Sequence, residues 1–277
     1  MKLPLVSVCI PTRNGAKYIE ETLNCVYQQD YRPLELIISD DASSDETVEI
    51  ILNTTAGWDI TVAIYHHKPS GIGANWNNSV RKAKGKYIKF LFQDDLIYSN
   101  CISEMVAHSE KDESIGLTFC NRDIIGDLKD KEDWLHRHKN LSAKWNDLKP
   151  IQEGKSLLKQ PDFFKTPRNK IGEPTAVLLK RQCFDEIGFF SEELKQTLDY
   201  EYWYRILPKY KIGYINKKLA AFRLHNNQAS HHNLSGIKNE YLIYYKSTHR
   251  SVFSYLSLNN KVKIIFKIFT LTLRRYK

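Results

Sequence analysis

Two acidic clusters carry the chemistry most readily read from this chain. Asp40-Asp41-Ala42-Ser43-Ser44-Asp45 follows from the apolar run Leu34–Ser39, and Gln93-Asp94-Asp95 follows Tyr87–Phe92. Apolar runs bounded by polar turns read as buried strands of a parallel sheet, and open α/β sheets bind ligands at the carboxyl ends of their strands. Carboxylates converging there repel one another unless a cation or ligand donors lie between them. The expected chemistry is metal-assisted work on a phosphorylated ligand. A divalent cation, manganese or magnesium, takes oxygens from one or two carboxylates and from phosphates. It then neutralises charge on a leaving diphosphate.

Each motif also has a plainer reading. Asp94 and Asp95 could be loop acids, but the apolar run before them, broken only by Lys89, favours a site. A strand-end Asp40 or Asp41 can accept hydrogen bonds from a nucleobase N–H or a ribose hydroxyl. Asp45 serves equally well as the N-cap of the next helix. Pro11-Thr12-Arg13-Asn14 forms a strand-to-helix turn, where a phosphate or base can sit. Without further support it reads as an ordinary turn. No G-x-G-x-x-G follows the first strand, which counts against NAD.

These groups need a scaffold, and the pattern supplies one. Strands are expected at Leu5–Ile10, Leu34–Ser39, Ile60–Tyr65 and Tyr87–Phe92, alternating with helices at Tyr18–Gln28, from Asp45 to Asn53, and at Gly73–Lys84. This rhythm predicts an α/β fold with a Rossmann-like, mostly parallel sheet. After a strand at Ile115–Cys120, the polar stretch 121–170 reads as an insertion of short helices and loops. Ala176–Leu179, Ile212–Ile215 and Ala220–Leu224 read as strands, and Thr197–Leu207 as a helix. The expected division is 1–120 for the nucleotide, 121–235 for the acceptor and base, and 236–277 as a helical tail.

Composition narrows the class. A hydrophobic share of 42% and an aromatic share of 12% fit a packed globular chain. Five scattered cysteines without C-x-x-C argue for a reducing compartment and against disulfides or zinc. The short Leu5–Ile10 run is no signal peptide, and no uncharged segment reaches transmembrane length. The sequon-like stretches at Asn53, Asn77, Asn140 and Asn233 therefore read as chance. The net charge is +9, yet residues 236–277 hold nine Lys and Arg against one Glu, leaving about +1 for the body. A basic stripe on the body is missing, so nucleic acid is not an expected partner.

The stretch PTRNGAKYIEETLNCVYQQDYRPLELIISDDASSDET, followed by KAKGKYIKFLFQDD, resembles the family 2 glycosyltransferases of bacterial polysaccharide type, which have the GT-A fold. The resemblance covers roughly the first hundred residues, with several motifs in register. It implies that Pro11, Thr12, Arg13 and Asn14 line a nucleotide-sugar pocket, that Asp40 or Asp41 holds uracil and ribose, and that Asp94 with Asp95 forms the metal element. Families of this type usually carry an acid where Phe92 stands. Thr197–Arg205 is similar to the family's acidic helix, which implies Asp199 as general base with Glu201 as runner-up. Glu173 and Trp203 then fall to the acceptor, Glu173 being equally a turn residue. Arg223 or His225 would meet the diphosphate or the metal. The doublets His66-His67 and His231-His232 read as surface residues.

The implied activity is inverting transfer of a hexosyl or N-acetylhexosaminyl group from a nucleotide sugar, a UDP-sugar, to a saccharide or lipid-linked saccharide. Two rivals stay open: a sugar nucleotidyltransferase, for which Arg13-Asn14-Gly15 is a thin triphosphate loop, and a non-catalytic binding module. In the tail, Lys263, Lys267, Thr270, Arg274 and Lys277 share one helical face and apolar residues cover the rest. That pattern predicts contact with an anionic membrane, placing the protein in the cytoplasm on the inner face of the membrane. Packing on the body or a dimer contact is the alternative.

Overall fold

The computed structural model describes residues 2–127, 132–138, 140–225, 228 and 237–275. Strands β1 (Val6–Thr12) and β2 (Leu34–Asp40) are buried at every position, as near-continuous apolar runs require. β3 (Thr61–His66) is the partly exposed edge, and β4 (Tyr87–Phe90) lies on the other side of β1. All three pairings are parallel. Helices α1 (Ile19–Tyr27), α2 (Thr47–Thr55) and α3 (Ile72–Lys82) connect them. The chain moves outward from β1 through β2 to β3, then returns to β4 on the opposite side. The β1–β4 junction is therefore the switch point where such sheets bind ligands.

β1 continues through Pro11, where the sequence suggests a stop. Its ladder with β4 ends at Cys9, so the missing N–H of Pro11 breaks no bond on that side. Residue 46 occupies the cap position of α2 without a side-chain bond. Asp45 instead accepts from the Thr47 N–H at 3.2 Å and the Ala16 N–H at 3.2 Å, tying the helix start to the turn after β1.

The sheet continues past β4. β8 (Val177–Lys180) is antiparallel to β4 and to β6 (Ile115–Gly126), and β6 runs parallel to β9 (Lys211–Leu224). Two short strands, β5 (Leu96–Ile97) and β7 (Ile151–Glu153), pair antiparallel with β9. β6 is thus twice its expected length, and residues 121–126 belong to the sheet rather than to an insertion. β9 is one strand where two were expected. The remaining helices are α4 (Cys101–Ser109), α5 (Glu132–His138), α6 (Gly154–Leu158), α7 (Gln182–Ile187), α8 (Leu198–Ile206), α9 (Ile237–Val252) and α10 (Leu258–Arg275).

Strand alternation divides the core in two. Val6, Val8 and Ile10 join α1 and α4 through Ile19, Leu23, Ile102 and Met105. Cys9, Ile37 and Phe90 face an aromatic-rich layer containing Trp76, Phe190, Tyr202, Trp203 and Tyr244. α9 packs on α8, and α10 packs on α9, so the C-terminal helices extend this second layer. No helix among the described residues is long and apolar enough to cross a membrane.

Candidate functional site

A cavity of about 660 Å³ opens over the carboxyl ends of β1 and β4. Its first wall is the turn after β1, formed by Pro11, Thr12, Arg13, Asn14 and Gly15. The Gln93 amide clamps this turn: Oε1 accepts from the Arg13 N–H at 2.9 Å, and Nε2 donates to the Arg13 carbonyl at 3.0 Å. Gly15 makes the clamp possible, because a Cβ there would lie 2.4 Å from Gln93 Oε1. Asn14 turns the chain with φ of 50°, and its Oδ1 accepts from the Ser44 N–H at 2.8 Å. The loops after β1 and β2 are thereby held as one unit.

The two strand-end acids of β2 separate cleanly. Asp40 is spent within the protein: it accepts from Thr12 Oγ1 at 3.0 Å, the Ser43 N–H at 2.9 Å and Ser43 Oγ at 2.5 Å. Asp41 lines the cavity, accepting from the Ser70 N–H at 2.9 Å, with Arg13 at 3.5 Å and His67 at 3.4 Å. His66 is largely exposed, as expected, but His67 is not a bystander. Its Nε2 lies 3.0 Å from Asn75 Oδ1, while Asn75 donates to the Thr12 carbonyl at 3.2 Å. Trp76 and Phe92, with ring centroids 4.8 Å apart, both line the cavity. Phe92 fills the position of the expected acid with an aromatic surface. His231, His232 and Lys277 lie outside the described residues.

The second acidic cluster also divides. Asp94 lines the cavity, with Oδ2 2.8 Å from His225 Nε2. Asp95, expected beside it as a metal ligand, is fully buried and does not line the cavity. It accepts from Thr175 Oγ1 at 2.6 Å and from the Arg223 N–H at 2.9 Å. Burial, reinforced by the charge of Asp94, pushes its carboxyl well up from the usual range. Asp95 therefore ties β4 to the end of β9 and places His225. Arg223 donates to the Asp94 carbonyl at 2.8 Å, stacks over Tyr18 and pairs with Glu21. It is occupied in bracing the Asp94 turn.

On the far wall, Asp199 stands in the first turn of α8 and Glu173 precedes the 3-10 turn leading to β8. Burial pushes the Asp199 carboxyl up to about 8, with the negative charge of Glu173 adding to the effect. Oδ2 accepts from Asn169 Nδ2 at 2.8 Å, whereas Oδ1 has no hydrogen-bond partner. Glu173 receives a two-pronged bond from Arg122, at 2.5 Å and 3.0 Å. Glu201, the runner-up base, is buried against Arg205 and Ser247 and does not line the cavity. Trp203, expected at the acceptor, is fully buried, and its Nε1 donates to the Gly172 carbonyl at 3.1 Å. Asp199 and Trp203, four residues apart, share one face of α8; Asp199 in the first turn reaches the cavity, and Trp203 one turn further on is buried in the core.

Sequence reasoning missed Asn75, Trp76, Lys195 and Asn169. None carries a motif, because tertiary packing brings the first three to the cavity and Asn169 to Asp199 behind it. Among the described residues, no cluster of three or more His, Cys, Asp or Glu could enclose a metal by itself. Asp94 and His225 nevertheless form a two-donor set open to the cavity. That suits an ion whose remaining ligands are phosphate oxygens and water.

Residues 7–188 match the family described as Glycosyl transferase family 2. A Campylobacter jejuni protein, GalNAc(5)-diNAcBac-PP-undecaprenol beta-1,3-glucosyltransferase, is 28% identical over 247 residues, 87% of this chain and 71% of that protein. The chain spans about two thirds of the length of some curated relatives and about a third of others. Staphylococcus aureus TarS 1-349 in complex with UDP-GlcNAc superposes with a TM-score of 0.67 at 17% identity, covering 96% of this chain and 72% of that one. Mannosyltransferase PcManGT from Pyrobaculum calidifontis, in complex with GDP-Man and Mn2+, gives 0.63 at 19% identity, covering 90% and 65%. These likenesses show the GT-A fold.

Proposed function

The chain belongs to glycosyl transferase family 2, and from that premise we propose that it moves a sugar from a nucleotide sugar to a saccharide hydroxyl with inversion. The observation that carries this reading is one cavity holding three sets of groups: Asp41 at the nucleotide end, the Asp94–His225 pair, and Asp199. Asp41 accepts a nucleobase N–H, while Lys17 and Lys195 on the cavity wall offer positive charge to the diphosphate. Asp94 and His225 would hold a manganese or magnesium ion. When bound, such an ion neutralises charge on the departing diphosphate.

The Asp199 carboxylate takes the proton of the acceptor hydroxyl as the acceptor oxygen bonds to the anomeric carbon and the bond to the diphosphate breaks. A single displacement of this kind inverts the anomeric centre. The other carboxylate on the acceptor side, Glu173, is neutralised by Arg122, so Asp199 is the one suited to accept a proton. Uracil as the base and a hexosyl or N-acetylhexosaminyl group as cargo are supported by TarS with UDP-GlcNAc. A lipid-linked saccharide acceptor is supported by the Campylobacter relative.

The tail fits that acceptor. α10 turns Ile264 inward. Leu258, Val262, Ile265, Phe266, Phe269 and Leu273 form an outward stripe, each more than half exposed. Lys263 and Lys267, also exposed, flank the stripe rather than lying opposite all the apolar residues. An apolar stripe edged by lysines suits the interface of an anionic bilayer, with the protein peripheral on its cytoplasmic face. Release of nucleoside diphosphate from a panel of nucleotide sugars tests the activity. Turnover of a UDP-sugar that is lost in Asp199→Asn is expected, and binding without turnover would favour the non-catalytic alternative.

A further inference from the structure

The general base reading leaves open what holds Asp199 in position. Asn169 lies in the loop between α6 and β8, and every polar atom of its amide is engaged. Oδ1 accepts from the Ile171 N–H at 3.1 Å and the Gly172 N–H at 2.9 Å. Nδ2 donates to the Gly172 carbonyl at 3.0 Å and to Asp199 Oδ2 at 2.8 Å. Two backbone N–H groups fix which end of the amide is oxygen, so the NH₂ must face the carboxylate.

Resting on Asp199 as the base, we propose that Asn169 is a positioning residue that anchors Asp199 by Oδ2 and so sets how its carboxylate meets the acceptor hydroxyl. Three observations support it. The two carboxylate oxygens are unequal: one is held by Asn169, and the other is sheltered without a partner. The amide is locked by the backbone of a loop whose Gly172, with φ of 132°, also accepts from the buried Trp203 indole. Backbone N–H groups at the start of α8 also favour the charged form of Asp199, and the two nearby acids are engaged elsewhere. Glu173 is paired with Arg122, and Glu240 of α9 accepts from the N–H groups of Gln196 and Thr197, both at 2.7 Å. Both are acids and oppose ionisation of Asp199. Asn169 gives the carboxylate a neutral side-chain donor.

The test compares Asn169→Ala, Asn169→Ser and Asp199→Asn with the wild type in nucleotide binding and in the pH profile of kcat/KM. For Asn169→Ala, the acidic limb should move up by about one pH unit, because a hydrogen bond to the charged form is lost. The rate at pH 7 should fall on the order of tenfold or more. Donor affinity should stay within about twofold, because Asn169 itself does not line the cavity. Asn169→Ser, which keeps a short donor, should lie between the two and carries the test if the alanine variant fails to bind nucleotide. An unmoved limb in both variants, with Asp199→Asn inactive, overturns the positioning role alone. Activity retained by Asp199→Asn overturns the base reading itself.

Discussion

The raised carboxyl of Asp199 makes the pH dependence of transfer a quantitative prediction. A base must be ionised to accept a proton, so activity rises with pH through its titration. With a midpoint of about 8, about a tenth of the free enzyme is competent at pH 7, about half at pH 8 and about nine tenths at pH 9. kcat/KM should therefore climb about fivefold from pH 7 to 8 and less than twofold from 8 to 9. Nucleoside diphosphate release, measured at low donor and acceptor across pH 6–9, reads this directly. Asp199→Asn should be slow at every pH and show no limb. Stability should run the opposite way. The folded-state value is raised above the unfolded one, so the wild type loses stability as pH rises from about 4 through 8. The melting temperature of Asp199→Asn should gain on the wild type between pH 6 and 9. A flat kcat/KM profile, or a limb that survives in Asp199→Asn, refutes the reasoning.

Two other perturbations probe the nucleotide wall and the tail. Gly15→Ala places a Cβ 2.4 Å from Gln93 Oε1. Breaking the clamp on Arg13 should cost about 1–3 kcal/mol, seen as a lower melting temperature with weaker nucleotide binding; unchanged values in both would mean that Gln93 yields freely. Phe266→Glu with Phe269→Glu should release the protein from anionic vesicles in a flotation assay without altering its melting temperature, since both side chains are exposed. Equal partitioning of variant and wild type would remove the membrane role of α10.

Much of the sheet was legible because β1, β2 and β4 are buried on both faces and read as apolar runs ending in turn residues. β9 was less so. Its exposed centre, Asn216-Lys217-Lys218, interrupts the apolar pattern where β6 and β9 slip register, and Lys217 and Lys218 pair on the surface with Glu104 and Asp123. The clusters marked strand ends beside the cavity but not which carboxylates reach it. Asp40 and Asp41 look alike in sequence, yet Thr12 on the neighbouring strand and Ser43 in the loop take up Asp40. Asp95 is claimed by Thr175 and Arg223, residues 80 and 128 positions away. Trp203 was misplaced because it shares a face of α8 with Asp199, and only tertiary packing shows that the cavity ends one turn short of it. Asn169 had no signal at all, since its meaning lies in a loop conformation.

Calorimetry tests metal-assisted nucleotide binding most directly, by titrating UDP, GDP, CDP and dTDP into wild type and Asp94→Ala with and without manganese. The expected result is UDP binding that strengthens with manganese in the wild type and loses that gain in Asp94→Ala. Binding of every nucleotide that is indifferent to manganese, or a gain that persists in Asp94→Ala, would contradict the assignment of Asp94 and His225.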